Sequence, residues 1–339
     1  MPDLSPEVII LVLVVIMALA FDFINGFHDT ANAIATSVST RALSPKTAII
    51  IASLCNLIGA LSYTGVAKTI GGGITDPFKL ENGLVVVLAA LTSAILWNLI
   101  TWWFGIPSSS SHAIIGGVAG AAFGAAGSGA INWSGFISII QALIVSPLVA
   151  FAVGFVVIKL VSWLVRNSAY HKTNRGFRSM QVVSAAWQAF SHGANDAQKT
   201  MGVITLALIS GGFLIQEPGE FTIPLWVKLS AAIAMALGTA FGGWRIIKTL
   251  GGKIMKIKPI SGFSADLSSA LIITIFTALK LPVSTTHVIT SAILGVGASQ
   301  KLNAVKWGVA GRILVTWVIT LPITGLLAAA CYVVFDVFL

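Results

Sequence analysis

Leu84-Val-Val-Val-Leu-Ala-Ala-Leu-Thr-Ser-Ala-Ile-Leu-Trp-Asn-Leu-Ile-Thr-Trp-Trp-Phe104 runs without a single charged side chain, and Gly135–Ile158 is a second such stretch. Each matches the roughly 20 apolar residues that an α-helix needs to cross a bilayer. Composition agrees: 56% of the 339 residues are hydrophobic and only 9% are charged, whereas soluble domains carry about a quarter charged residues. A β-barrel would instead show segments of about ten residues with alternating polarity. The fold class is therefore all-α, a multi-pass transmembrane protein whose first partner is the lipid bilayer. Met1–Glu7 has no basic n-region and no small-residue cleavage site follows, so the first apolar run reads as a permanent helix. Cys55 and Cys331 both lie in apolar stretches and do not make a disulfide framework. The net charge of +9 would suit nucleic acid. The basic residues concentrate in loops, however, where membrane topology explains them first, and no nucleic-acid partner is expected.

Two polar cassettes interrupt the apolar runs, and each occurs twice in the same order. Phe23-Ile-Asn25-Gly26-Phe-His28-Asp29 returns as Phe190-Ser191-His192-Gly193-Ala-Asn195-Asp196. Pro107-Ser108-Ser109-Ser110-Ser111-His112 returns as Pro282-Val283-Ser284-Thr285-Thr286-His287. The offsets are 167 residues (Asp29 to Asp196) and 175 residues (His112 to His287), so one half reads as a diverged copy of the other. Polar and ionisable groups at membrane depth are costly and usually functional.

Five spans can be drawn in each half. They are Val8–Thr36, Ala48–Ala67, Leu84–Phe104, Ser109–Ala126 and Gly135–Val165, then Met180–Ile209, Thr222–Ile247, Phe263–Lys280, Ser284–Ala298 and Trp307–Phe338. The fourth of each set is short, either a full span or one arm of a re-entrant hairpin. Equivalent loops carry opposite charge. Asp3 and Glu7 contrast with Arg166, Lys172, Arg175 and Arg178; Arg41 and Lys46 contrast with Glu217 and Glu220. Lys68, Asp76, Lys79 and Glu81 contrast with Arg245, Lys248, Lys253, Lys256 and Lys258. Basic loops stay cytoplasmic, so the two copies have inverted topology and both termini are expected outside. Residues 1–165 form the first repeat, 166–179 a cytoplasmic basic linker, and 180–339 the second repeat. Inverted repeats with broken or re-entrant helices place a substrate site near the midplane.

The Pro-Ser/Thr cassette suits a helix start, because proline fits the first turn and hydroxyls cap free N–H groups. Those N–H groups and the helix dipole together favour an anion. Ser108, Ser109, Ser110 and Ser111, with Ser284, Thr285 and Thr286, supply hydroxyl donors on two helix starts, an arrangement suited to a tetrahedral oxyanion. Plain capping of broken helices is the simpler alternative, and repetition argues against it. His112 and His287 are ligands, proton carriers or packed cap residues.

The other cassette supplies Asp22, Asn25, Asp29 and Asn32 in one copy, and Gln188, Asn195, Asp196 and Lys199 in the other. Gly26 and Gly193 permit either unwinding or close helix approach. Carboxylates beside an anion site repel it strongly in low dielectric. The conflict disappears if hard cations sit between them, held by carboxylate and amide oxygens. Na⁺ fits this oxygen-rich set, and H⁺ carried on the aspartates is the alternative. A buried aspartate can also serve as a cap, above all Asp22, whose counterpart is Ala189. Asn56 and Asp266 lie inside other spans, Asp266 alone among small and apolar residues. Lys199 either neutralises phosphate or pairs with Asp196.

Asn25-Gly-Phe-His-Asp-Thr-Ala-Asn-Ala-Ile-Ala-Thr36 and His192-Gly-Ala-Asn-Asp-Ala-Gln-Lys-Thr-Met-Gly202 resemble the twin signatures of the inorganic phosphate transporter (PiT) family, in its bacterial branch. The segments at 107–112 and 282–287 match that family's second repeated motif, so the resemblance spans nearly the whole chain. It implies symport of inorganic phosphate with Na⁺ or H⁺, no cofactor, an inverted-repeat fold and a homodimer in the plasma (inner) membrane. It also implies that Asp29 and Asp196 are essential carboxylates, with Asn25, Asn195 and the Ser/Thr clusters near phosphate or cation. Family members often carry glutamate where Asn56 and Asp266 stand; Asp266 keeps the charge and Asn56 loses it.

The expected function is cation-coupled phosphate symport, Na⁺ favoured, with the two halves rocking about a fixed site. Phosphate falls to Ser108–Ser111, Ser284–Thr286, Asn25, Asn195 and Lys199. The coupling cation falls to Asp22, Asp29, Asn32, Gln188, Asp196 and Asp266. The rivals are a passive oxyanion channel, carriage of sulfate or a metal–phosphate complex, and a membrane enzyme acting on phosphate esters. The enzyme reading lacks a metal-ligand cluster or a nucleophile beside a base.

Overall fold

A computed structural model describes residues 5–76, 80, 82–217 and 220–339. Asp3, Lys79 and Glu81, used above in the loop-charge comparison, lie outside the described residues. The rest is all-α. In chain order the helices are α1 (Pro6–Ser39), α2 (Pro45–Ser62), α3 (Gly65–Gly73), α4 (Gly83–Phe104), α5 (Ser110–Ala126) and α6 (Trp133–Leu164). There follow α7 (Tyr170–Ser210), α8 (Leu225–Phe241), α9 (Trp244–Lys248), α10 (Pro259–Ala278), α11 (Thr285–Gln300) and α12 (Trp307–Phe338).

Helix boundaries follow local chemistry. Proline opens α1, α2 and α10, where its missing N–H costs no hydrogen bond. Gly105, at φ 63°, ends α4 in the left-handed conformation that lacks a Cβ penalty. Two of the expected spans are broken. Ala48–Ala67 divides at Tyr63 and Thr64 into α2 and α3. Thr222–Ile247 divides at Gly242, φ 70°, where the chain bends by 58° into α9 and a π-helical turn over Thr249–Lys253. The basic segment is largely helical, because α7 begins at Tyr170 and runs for 41 residues.

By length and composition, seven of the described helices can cross a membrane, or eight counting the bent pair at Gly242. Of the ten spans drawn from sequence, α7 fails that criterion because of its basic start and polar cassette. Helix α11 falls short at 16 residues.

Both cassette helices stay continuous through Gly26 and Gly193, so these glycines serve close approach and not unwinding. A Cβ on Gly26 would meet the Met235 carbonyl and the Thr239 nitrogen of α8. One on Gly193 would overlap the Asn56 backbone of α2, and Gly59 in turn abuts the Phe190 carbonyl. Helix α1 therefore packs on α8, and α2 on α7. The short helices behave alike: Gly116 and Gly120 of α5 lie on Leu321 and Gly325 of α12, and Gly295 of α11 lies on Phe151 of α6. Small residues let membrane helices meet backbone to backbone. Every one of these pairs joins the first half of the chain to the second, so the halves interlock.

Pro147 and Pro322 sit inside the two 32-residue helices α6 and α12. Lys306 N–H bonds the Ile254 carbonyl at 2.9 Å and Gln300 bonds Ser261 at 2.8 Å. These bonds hold the loop of Lys253, Lys256 and Lys258 beside that of Lys301 and Lys306. Elsewhere Glu7, Asn82 and Asp336 line one polar cleft, with Asn82 donating to Asp336 at 2.8 Å.

Candidate functional site

The two Pro-Ser/Thr segments build matching helix starts. Ser109 caps α5 by accepting from the His112 N–H at 3.1 Å, and Ser284 caps α11 by accepting from the His287 N–H at 3.2 Å. Both caps have extended backbone, φ −108° and −89°. The Ser111 hydroxyl donates to the Val283 carbonyl at 2.9 Å, which ties one helix start to the other. The seven hydroxyl residues of the two segments are all buried, but they do different things. The Ser108 hydroxyl accepts from Trp97 Nε1 at 3.0 Å and contacts Thr320 at 3.1 Å, so its visible role is to fasten α4 and α12. Ser110, Thr285 and Thr286 point at carboxylates.

Those carboxylates are the cassette aspartates, brought together from α1 and α7. Asp29 accepts from Thr286 at 3.3 Å and from Ser110 at 3.4 Å. Asp196 accepts from Thr285 at 3.2 Å. Asn32 donates to both Thr286 and Thr285, at 2.8 and 3.3 Å. Each aspartate also has a histidine. His28 Nδ1 lies 2.6 Å from Asp29 while its Nε2 meets the Thr101 hydroxyl at 3.1 Å. His192 Nε2 lies 3.5 Å from Asp196, and its Nδ1 is 3.0 Å from the Asn56 amide oxygen. Ligating atoms of Asp29, His192 and Asp196 all fall within 4.8 Å of one another, and all three residues are buried. The sequence assigns Asp29 and Asp196 to the cation; the crossing of α1 with α7 places the two together and adds His192.

Lys199 is fully buried and donates to Asp196 and, at 3.1 Å, to the Val283 carbonyl. Of its two sequence readings, the pairing with Asp196 is the one present here. Asp22 is also fully buried, with Thr200, Asp196 and Lys199 as its electrostatic neighbours. The whole Asn25 amide and the Asn32 side-chain oxygen have no hydrogen-bond partner among the described residues, whereas the Asp22 carboxylate has the Thr200 hydroxyl beside it. Orphaned buried acceptors cost about 1–3 kcal/mol each, and a hard cation is the partner such oxygens fit.

Three expected residues lie outside this cluster. Asn195 braces the turn before α11, donating to Thr277 at 2.8 Å and accepting from the Val283 N–H at 3.2 Å. Gln188 accepts from Ser269 at 2.8 Å and donates to the Asn32 carbonyl at 3.4 Å. Asp266 forms a separate knot, accepting from Thr36 at 2.6 Å and from Gln181 at 3.4 Å. Asn56 donates to Thr239 at 2.8 Å and orients His192. His28, His192 and Thr101 join the site without having been assigned there from sequence. The two histidines carried a signal, since they stand inside the repeated cassettes; Thr101 carried none.

His112 and His287 sit behind the helix starts. Their rings are 4.4 Å apart, and His287 stacks on Trp317 at 3.8 Å. They floor an apolar groove of about 700 Å³ walled by residues that include Pro147 and Pro322.

A model described as the phosphate transporter family matches residues 25–328. The chain is 59% identical over 328 residues to a Bacillus subtilis (strain 168) protein named "Probable low-affinity inorganic phosphate transporter", covering 97% of this chain and 98% of that one. A Rhizobium meliloti (strain 1021) protein of the same name is 47% identical over 331 residues, covering 96% and 97%. A solved structure described as "The sodium-dependent phosphate transporter" superposes with a TM-score of 0.89 at 27% identity, covering 98% of this chain and all of that one.

Proposed function

The chain belongs to the phosphate transporter family, a family of transporters and not of enzymes, and from that premise we propose that it is a cation-coupled symporter of inorganic phosphate. Na⁺ is the favoured coupling ion and the plasma membrane its location. The observation that carries the proposal is the Asp29–His192–Asp196 cluster set against two hydroxyl-capped helix starts. Two buried cassette carboxylates, Asp29 and Asp196, share the site with one buried ammonium, Lys199, and buried Asp22 lies beside it. A phosphate added to that balance needs further positive charge, which dissolved cations bring.

The hydrogen bonds suggest how the two cargoes are linked. Ser110, Thr285 and Thr286 have their hydroxyls on carboxylates. A cation that takes those carboxylate oxygens frees the hydroxyls, which then turn to phosphate alongside the N–H groups at the starts of α5 and α11. Phosphate thus binds well only where cations have bound, and that dependence is coupling.

In this proposal the halves are inverted repeats, residues 1–165 and 180–339, with both termini outside and the basic loops in the cytoplasm. The gathering of Lys253, Lys256, Lys258, Lys301 and Lys306 supports that orientation. Access alternates by motion of packed helix groups, such as α1 with α8 and α2 with α7, in place of the simple rocking of one half on the other. A homodimer remains the family-based expectation. H⁺ coupling is the second reading, favoured by the histidine beside each aspartate.

The test is radiolabelled phosphate uptake into proteoliposomes with Na⁺ and pH gradients imposed separately. Accumulation driven by Na⁺ alone is expected. Uptake driven only by the pH gradient would replace Na⁺ with H⁺, and uptake that merely equilibrates would mark a passive pathway.

A further inference from the structure

We propose that the Lys199 ammonium is a built-in cation that stands in for one dissolved coupling cation, so that each phosphate travels with one cation fewer than the duplicated site would otherwise require. This rests on the cation-coupled reading above and concerns how many cations it uses.

The internal repeat carries the first part of the argument. The offset of 167 residues that relates Asp29 to Asp196 also relates Asn32 to Lys199. Each residue lies three positions beyond its aspartate, one helical turn along the same face. In the first half that place holds a neutral amide whose oxygen is buried and unpartnered. Such an oxygen is a ligand waiting for a hard cation. In the second half the same place holds a side chain that already ends in positive charge.

The acceptors of Lys199 carry the second part. Its Nζ takes one oxygen of Asp196 and the backbone carbonyl of Val283, and Asp22 is close enough to interact with it electrostatically. A carboxylate oxygen and a backbone carbonyl are the ligand types that a Na⁺ at this position would use. Lys199 is sealed from solvent, and an ammonium held by a carboxylate in low dielectric does not leave with the cargo. Among the described residues Asp29 has no lysine or arginine partner; it meets His28 and hydroxyls, with His192 and Asp196 within 4.8 Å. The first half therefore depends on a cation from solution, while the second half carries its own.

The arrangement has a use on the return leg of the cycle. An unpaired buried carboxylate is strongly unfavourable, and a carrier that has released phosphate and cation must still cross back. Lys199 keeps Asp196 compensated throughout, so only the first half is left to be rebalanced.

The variant K199N gives the second half the residue that the first half has. Phosphate affinity is measured on the purified full-length protein, with Na⁺ and H⁺ varied separately. The slope of log Kd against log cation concentration is then compared with that of the unsubstituted protein. The slope should become more negative by about one, so that each tenfold rise in cation tightens phosphate tenfold more than before. In proteoliposomes held at set potentials, K199N should move one more elementary charge per phosphate. The variant K199R, which keeps the tethered charge, should show the unsubstituted slope. An unchanged slope in K199N with weakened phosphate binding overturns the proposal and makes Lys199 a phosphate ligand. Should K199N fail to fold, K199Q takes its place. Failure of both to bind phosphate at any cation concentration also overturns the proposal, because a dissolved ion should fill the vacated position. Failure of the coupling reading itself looks different: the unsubstituted protein would then show no cation dependence at all.

Discussion

The Thr286 hydroxyl, at the start of α11, lies 3.3 Å from the Asp29 carboxylate on α1. The two residues are 257 positions apart in sequence, and one belongs to the expected anion cassette, the other to the expected cation cassette. Their contact means that the two binding functions share atoms.

Replacing Thr286 by valine keeps the shape and removes the hydroxyl. A hydrogen bond to a charged group contributes about 1.5–3 kcal/mol, so phosphate KM should rise roughly tenfold or more. The Na⁺ concentration for half-maximal uptake should not rise, since Asp29 loses a competitor. A variant with the opposite pattern would assign Thr286 to the cation instead.

Asp29→Asn and Asp196→Asn each remove a carboxylate charge from the three-residue cluster while leaving its volume unchanged. Both should abolish cation-driven accumulation of phosphate and leave membrane insertion and detergent solubility intact. Full accumulation in either variant would remove that aspartate from the mechanism.

Na⁺ should stabilise the purified protein against heat, because a ligand that binds only the folded state adds about 2.7 kcal/mol at one hundred times its Kd. Replacing Na⁺ with choline should withdraw that stabilisation, and Asp29→Asn should not show it in the first place. A melting temperature indifferent to Na⁺ in the unsubstituted protein would speak against a Na⁺ site.

Two glycines of α7 should respond in opposite ways to alanine. A Cβ on Gly193 would meet the Asn56 Cα at 2.6 Å, so Gly193→Ala forces α2 away from α7 and should lower thermal stability sharply. A Cβ on Gly176 meets nothing within 4 Å. Gly176→Ala should therefore stabilise the helix, by up to about 1 kcal/mol from helix propensity. Similar melting shifts for the two would mean that the α2–α7 crossing is loose.

Much of this was legible in the sequence because it depends on local chemistry. Apolar runs such as Leu84–Phe104 announced helices, and Pro107 and Pro282 announced helix starts whose serine caps the fold contains. Repetition alone singles out Asp29 and Asp196. What the sequence left open is what depends on long-range approach. Nothing local distinguishes Ser110, whose hydroxyl faces Asp29, from Ser108, whose hydroxyl faces Trp97. In sequence Gly26 is equally compatible with a kink and with a tight crossing; α8 lying against it makes it a crossing. His192 stands in its cassette as plainly as Asp196, but its closeness to Asp29 follows only from the way α1 meets α7.

The crossed pairing of helices also constrains how the protein is made. When α1 leaves the ribosome its carboxylates and glycine notches have no companions, since α7 and α8 are still more than a hundred residues from being synthesised. Asp22 and Asp29 must wait in the membrane or at its surface until the second half arrives, and charged groups at bilayer depth are costly meanwhile. The first half alone should therefore be a poor folding unit and a target for membrane proteases. Expressed as two separate polypeptides, the halves should accumulate only when produced together in the same cell.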